Sequence, residues 1–222
     1  MVSLLFSASA KMLLGLLLMF APLFGCAGTL RYPNGWLMLA ILLIPMAATG
    51  IILAAKAPEL LQKRMNMREK ERSQIWVVAL SGILILLMFA LAGLDFRFGW
   101  SQLPKPCILI AAALFLLGYA LYAEVLRENA WLSRTVEIQQ GQKLVDTGLY
   151  AVVRHPMYAA VVLIFLSMPL VLGSLPAFVI MLPYPILLAM RIHEEEKMLT
   201  HGLEGYAEYK QRVRWRMIPF IW

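Results

Sequence analysis

The sequence predicts an all-α, polytopic membrane helix bundle of six spans, with five as the alternative, and three observations predict it. Hydrophobic residues make up 61% of the chain and charged residues 15%, and the mean hydropathy is +0.74, well outside the soluble range. The apolar residues gather into runs close to the roughly 20 residues that a bilayer core requires. Lys and Arg fall between those runs in the alternating pattern that membrane topology imposes.

Four spans are predicted at residues 11–28, 35–55, 75–94 and 108–126. The first, in which Lys11 precedes LLGLLLMFAP and LFGC, has the outline of a secretory or lipoprotein signal ending at Cys26, and is read here as an uncleaved span. Residues 57–73, APELLQKRMNMREKERS, form a charged, helical interfacial segment in which Pro58 suits a first helical turn. Its bland reading is a solvated basic face that fixes topology. Asp95 stands at a span end, and Glu124 is expected to pair with Arg127 at headgroup level.

The fifth apolar region, residues 157–190, has 34 residues, too many for one span and barely enough for two of roughly 17. Gly173, Ser174 and Pro176 at its centre predict a tight turn between two short helices, the second kinked near Pro183 and Pro185. With six spans both termini share one side. Every Lys and Arg except Arg31, Arg97 and Lys105 then falls on that side, which is therefore read as cytoplasmic. Topology and attraction to anionic headgroups account for the net charge of +7, so no nucleic-acid partner is implied. Cys26 and Cys107 fall toward the outer side, where a disulfide is chemically possible but two buried free thiols are the expectation, and no Cys/His set has metal-ligand spacing.

No linker, repeat or low-complexity run divides residues 1–222, so a single membrane domain is expected. Residues 1–126 supply four structural spans, and residues 127–222 carry the polar chemistry. In that second part, QQGQKLVDTGLYAVVRHPMY (residues 139–158) sets ring-bearing and charged residues between membrane-length apolar runs. Pro156 forces His155 out of helical geometry and starts the next helix, whose free backbone N–H groups and positive dipole end suit an anion. On this motif alone, His155 reads equally as a satisfied interfacial histidine.

The second cluster, RIHEEEKML (residues 191–199), lies on a helix leaving the membrane. Arg191 and Glu195 are i and i+4 and share a face, with Glu194 beside them and Glu196 well around the helix. Three consecutive glutamates alone read as a solvated surface. Arg191, directly after an apolar helix, is retained more readily if it binds something. The basic tail, GYAEYKQRVRWR, reads as a lid or interfacial anchor with Trp215 and Trp222 at headgroup level.

Taken in order, Gln139, GQKLVDTGLY, VRHPMY, RIHEEEKML, GYAEYKQRV and IP resemble the isoprenylcysteine carboxyl methyltransferase family, whose relatives include the phospholipid N-methyltransferases. The resemblance covers residues 129–222; the first four spans match only as generic hydrophobic helices. It implies a membrane-embedded methyltransferase that uses S-adenosyl-L-methionine without a Rossmann fold, binds it at the cytoplasmic side and draws its lipophilic substrate from the bilayer. Carried over by position, cofactor contacts fall on Gln139, Gln142, Lys143, Leu144, Val145, Tyr150, His155, Pro156, Met157, Tyr158 and Glu195. Arg191 matches the arginine at the reaction centre, and no metal is implied. Two positions depart from the family pattern: Ala160 stands where glycine is common, and Leu149 where proline is frequent. Neither removes a polar contact.

Methyl transfer from a sulfonium is an in-line displacement that depends on alignment. A carboxylate acceptor needs no general base, only orientation, which an arginine fork at Arg191 supplies; an amine must shed a proton, and arginine is a poor base. This favours O-methylation of a carboxylate, as in prenylcysteine methyl ester formation. N- or S-methylation of a phospholipid amine or a small lipophilic thiol shares every cofactor motif and stays open. A non-enzymatic polytopic protein such as a transporter is the alternative of another class. It predicts ionisable residues at mid-bilayer in broken helices, whereas here they collect at one face. The expected partners are a lipophilic small-molecule or lipid substrate and membrane lipids, and the oligomeric state is left open.

Overall fold

The computed structural model describes residues 2–65, 72–133 and 138–222; Arg68, Lys70 and Arg134, assigned above to the inner side, lie outside them. Nine helices are described: α1 (Val2–Ala27), α2 (Pro33–Lys56), α3 (Pro58–Met65), α4 (Arg72–Phe98), α5 (Lys105–Glu128), α6 (Pro156–Val171), α7 (Leu175–Met181), α8 (Tyr184–Gly202) and α9 (Tyr206–Arg212). No strand occurs among the described residues. The all-α polytopic bundle expected from composition is what the chain forms.

Five stretches are long and apolar enough to cross a membrane: α1 from Ala10, α2, α4 from Gln74, α5, and the nearly continuous rod Leu175–Gly202 made by α7 and α8. The sixth apolar helix, α6, has 16 residues. At 1.5 Å per residue it is roughly 24 Å long, shorter than a hydrocarbon core of about 30 Å. Local sequence explains the hairpin it begins. Pro156 stands in the first turn of α6, the turn at Leu172–Ser174 follows, and Ser174 Oγ accepts from Ala177 N at 3.2 Å to start α7. Leu182 and Pro183 then separate α7 from α8, at the kink that the prolines predict.

The helices pack α1 on α4, α5 on α6, and α7 and α8 on α4. A Cβ on Gly118 of α5 would stand 3.1 Å from Ala160 O and 2.9 Å from Ile164 Cγ1, so only glycine permits this approach of α5 to α6. Ala160, the departure from the family pattern, is fully buried in that seam. Phe89, Phe115, Met38, Met88, Met181 and Ile192 fill the common core. Leu13, Leu17, Ile44, Ile51, Leu109 and Ile110 face outward, an arrangement that suits lipid. Cys107 is exposed and Cys26 half-buried, and both are free thiols, contrary to the burial expected.

The two ends of the bundle differ. At one end Asp95 is buried, with Oδ1 accepting from Ser101 N at 2.7 Å, and Tyr32 donates to Leu172 O at 2.5 Å. At the other end the C-terminus of α5, the start of α6, the end of α8, α9 and the tail converge on a cleft. Glu124 and Arg127 pair on the surface of α5 there, as expected.

Candidate functional site

The wall of the cleft starts with the segment after α5. Asn129 Nδ2 donates to Tyr150 Oη at 2.9 Å, and Trp131 N donates to Asn129 Oδ1 at 2.9 Å. Gln139 closes the segment on itself: its Nε2 donates to Trp131 O at 2.5 Å, and its backbone N donates to Gln142 Oε1 at 2.9 Å. Lys63 of α3 lies over the Trp131 ring, 5.1 Å from its centre, so α3 braces the wall as well as contributing basic charge. A single 3-10 turn, Gly148–Ala151, follows. Gly148 has φ +54°, and a Cβ there would fall 1.5 Å from Glu128 Oε1, whose carboxylate receives Leu149 N at 3.0 and 3.3 Å.

Beneath that turn lies a buried ion cluster centred on Glu196. Its Oε1 accepts from Arg154 Nε and Nη2, each at 2.6 Å, and stands 3.4 Å from His155 Nε2, an ion-pair distance without hydrogen-bond alignment. Its Oε2 accepts from Arg216 Nε at 3.1 Å and lies 3.7 Å from Lys210 Nζ. The Arg154 and Glu196 side chains are 4% and 3% exposed, so the carboxylate is compensated on both oxygens where water cannot reach it.

Arg154 also carries the tail. Its Nη1 donates to Val213 O at 2.6 Å and Arg214 O at 2.8 Å, while the backbone N–H groups of Arg154 and His155 donate to Trp215 O and Arg216 O at 2.9 and 2.7 Å. The tail expected to act as a lid or anchor is instead built into the floor of the site. A surface pair, Arg212 with Asp146, ties the same segment to the wall.

One turn along α8 a second set of groups faces the cleft. Tyr158 Oη donates to Glu195 Oε2 at 2.5 Å and accepts from Arg191 Nε at 3.1 Å. Arg191 and Glu195 do share a face, as their i, i+4 spacing requires, and the Tyr158 hydroxyl from α6 bridges them. Glu194 turns outward and pairs with Lys197 at 2.8 Å. Three adjacent glutamates thus divide among solvent, cleft and core.

The cleft encloses about 850 Å³ of space, part of it open to solvent. Ten of the twelve residues singled out in the sequence line it: Gln142, Lys143, Leu144, Val145, Tyr150, His155, Met157, Tyr158, Arg191 and Glu195. Gln139 and Pro156 do not; the first shapes the wall and the second the start of α6. Asn129, Trp131, Arg154, Leu199, Leu203, Tyr206 and Tyr209 also line the cleft and were not singled out. RHP names Arg154 beside His155, and the GYAEY segment names both tyrosines, so a signal for these three existed in the motifs themselves.

Tyr209 Oη donates to Tyr150 O at 2.7 Å, and Tyr206 packs on Tyr209 with ring centres 5.7 Å apart. Burial pushes both hydroxyls well above the usual tyrosine pKa; next in weight are the Glu196 charge for Tyr206 and the neighbouring Tyr150 for Tyr209. Both are protonated donors at neutral pH.

Residues 106–204 match the sequence profile of the phospholipid methyltransferase family. Among curated proteins, a Delta(14)-sterol reductase of Arabidopsis thaliana is 26% identical over 184 residues, covering 70% of this chain and 48% of the relative. A Delta(14)-sterol reductase of Methylotuvimicrobium alcaliphilum is 27% identical over 136 residues, covering 54% and 32%. The chain thus spans about half or less of the length of the curated relatives it matches. The matched residues 106–204 hold α5, the wall, α6, α7 and α8, so the likeness to the phospholipid methyltransferase family falls on the part of the chain that builds the cleft.

Proposed function

We propose that the chain is a membrane-embedded, S-adenosyl-L-methionine-dependent methyltransferase that acts on a lipophilic acceptor at the cytoplasmic face, with O-methylation of a carboxylate as its reaction. The observation that carries this reading is the convergence of Tyr158, Arg191 and Glu195 with the 142–145 segment on one cleft. Residues 127–222 then form the catalytic part, and the first four spans support it.

The residues present fit the cofactor. The lining offers a carboxylate, two kinds of cation, neutral donors and aliphatic walls, which together match an amino-acid end joined to a nucleoside. When bound, the cofactor supplies an electrophilic methyl group on a sulfonium. Lys143, His155 and Glu195 hold its polar parts, while Leu144, Val145 and Met157 exclude water. Tyr158 fixes the Glu195 carboxylate and the Arg191 side chain relative to each other, so acceptor and cofactor are oriented by one hydrogen-bonded unit. Arg191 orients the acceptor carboxylate, which reacts without a general base.

The reading is tested by supplying radiolabelled S-adenosyl-L-methionine with three acceptors: an S-farnesyl cysteine derivative, a long-chain thiol and phosphatidylethanolamine vesicles. Base-labile methyl ester formed only from the first is expected. Label on the thiol or the amine instead overturns carboxyl methylation while keeping methyl transfer. The names of the curated relatives favour a second reading, reduction of a sterol-like lipid with NADPH. Oxidation of NADPH dependent on an unsaturated sterol, with no methyl transfer to any acceptor, would establish that reading instead.

A further inference from the structure

We propose that the corner formed by Leu144, Leu199, Leu203 and Tyr206 is the adenine subsite of the cleft, with the Tyr206 hydroxyl donating a hydrogen bond to a ring nitrogen. The proposal rests on the reading that an adenosine-bearing cofactor enters the cleft. It adds which residues read the base.

The two tyrosines of α9 differ in a way that packing alone does not explain. Tyr209 Oη is satisfied by Tyr150 O, whereas Tyr206 Oη has no partner among the described residues although the residue is 3% exposed and lines the cleft. A buried hydroxyl left without a partner is costly, and Phe would fill the same space without that cost. A ligand that accepts its proton removes the penalty. The hydroxyl is held neutral by burial and by the nearby Glu196 and Glu195 charges, so it acts as a donor and not as an anion.

The surroundings define what it donates to. Leu203, Tyr206, Tyr209 and Val213 form a small cluster of their own, with Leu144 and Leu199 packed against it. Aliphatic walls with one neutral donor suit a flat heteroaromatic ring, which offers apolar faces and acceptors in its plane. A lipid chain presents no acceptor and would leave the hydroxyl unsatisfied. A phosphate or an amino-acid end is better met by Lys143, Arg191 and Glu195, which line the same cleft. Adenine is common to S-adenosyl-L-methionine and NADPH, so the corner serves either cofactor.

The test is calorimetric titration of S-adenosylhomocysteine and, separately, NADPH into detergent-purified full-length protein and its Tyr206→Phe variant, with ligand-free thermal unfolding of both. The ligand that binds the wild type is expected to bind the variant about five- to tenfold more weakly, the worth of one hydrogen bond. The ligand-free variant is expected to unfold at the same or a higher temperature. Among analogues of that ligand with one adenine ring nitrogen replaced by carbon, one should lose the same factor on the wild type and bind both proteins equally. Equal affinity of wild type and variant for the parent ligand, or a lower ligand-free unfolding temperature for the variant, overturns the assignment. Binding of NADPH alone keeps the corner and overturns the methyl-donor reading. Binding of neither overturns both.

Discussion

Arg154 and Glu196, 42 residues apart in sequence, meet at 2.6 Å in a site from which solvent is excluded. The pair joins the start of α6 to α8, and through the remaining Arg154 nitrogens and Arg216 it fixes the tail beneath both. The cleft is thereby assembled from segments that are distant in the chain.

Removing either partner should therefore unfold the site and not merely weaken a ligand contact. Glu196→Gln or Arg154→Met is expected to cost about 3–5 kcal/mol, because each leaves a buried charge without its buried partner. The double variant Arg154→Met/Glu196→Met should be less damaging than either single change, since Arg216 and Lys210 are partly exposed and can turn to water. Thermal unfolding in detergent checks the order of the three.

Glu195 should behave in the opposite way to its neighbour. Glu195→Ala removes the Tyr158 acceptor on the cleft side and is expected to weaken S-adenosylhomocysteine binding by roughly 10- to 100-fold, with little change in ligand-free stability. Parallel calorimetry and unfolding on the Glu195→Ala and Glu196→Ala variants separate a binding residue from a structural one.

Arg191→Lys should spare cofactor affinity and lower turnover by roughly 100-fold, because lysine keeps the charge but loses the planar fork and the Nε donor to Tyr158. Single-turnover methyl transfer with binding measured alongside tests it. Full turnover by this variant contradicts the place given to Arg191.

Stability should fall at alkaline pH. Tyr206 and Tyr209 have folded-state pKa values above the unfolded one, so their contribution is complete below about pH 10 and is lost as pH rises above it. The unfolded chain releases these protons first. Unfolding temperatures measured between about pH 8 and 11 should drop at the upper end, and Tyr206→Phe should make that drop shallower.

Gly148→Ala should loosen the wall. Its φ of +54° disfavours a side chain by about 1–2 kcal/mol, and the new Cβ must displace the Glu128 carboxylate from Leu149 N. Limited proteolysis is expected to cut the 138–155 segment faster in the variant, while the helices stay protected.

The apolar helices were legible because a bilayer-length run and its flanking prolines announce themselves locally: Pro156, Pro176 and the Leu182–Pro183 break stand where the sequence places helix starts and the kink. Most of the cleft was legible from motif order, since ten residues named in advance line it. Glu196 was not, because helical periodicity says only that it faces away from Arg191. Whether that side meets water or a buried arginine depends on how α6 and the tail pack. The tail was misread for a similar reason: basic residues near aromatic ones look like a membrane anchor until Arg154 is seen to hold their backbone. The pairing of Glu195 with Tyr158 is likewise a product of packing between helices, which spacing within either does not reveal.

The central claim is that this cleft holds S-adenosyl-L-methionine, and the most direct measurement is calorimetric titration of S-adenosylhomocysteine into the detergent-purified protein and its His155→Ala and Glu195→Ala variants. Saturable binding to the wild type that is weakened about tenfold or more in both folded variants is the predicted result. Absence of binding by well-folded wild-type protein, or undiminished binding by both variants, would contradict the account.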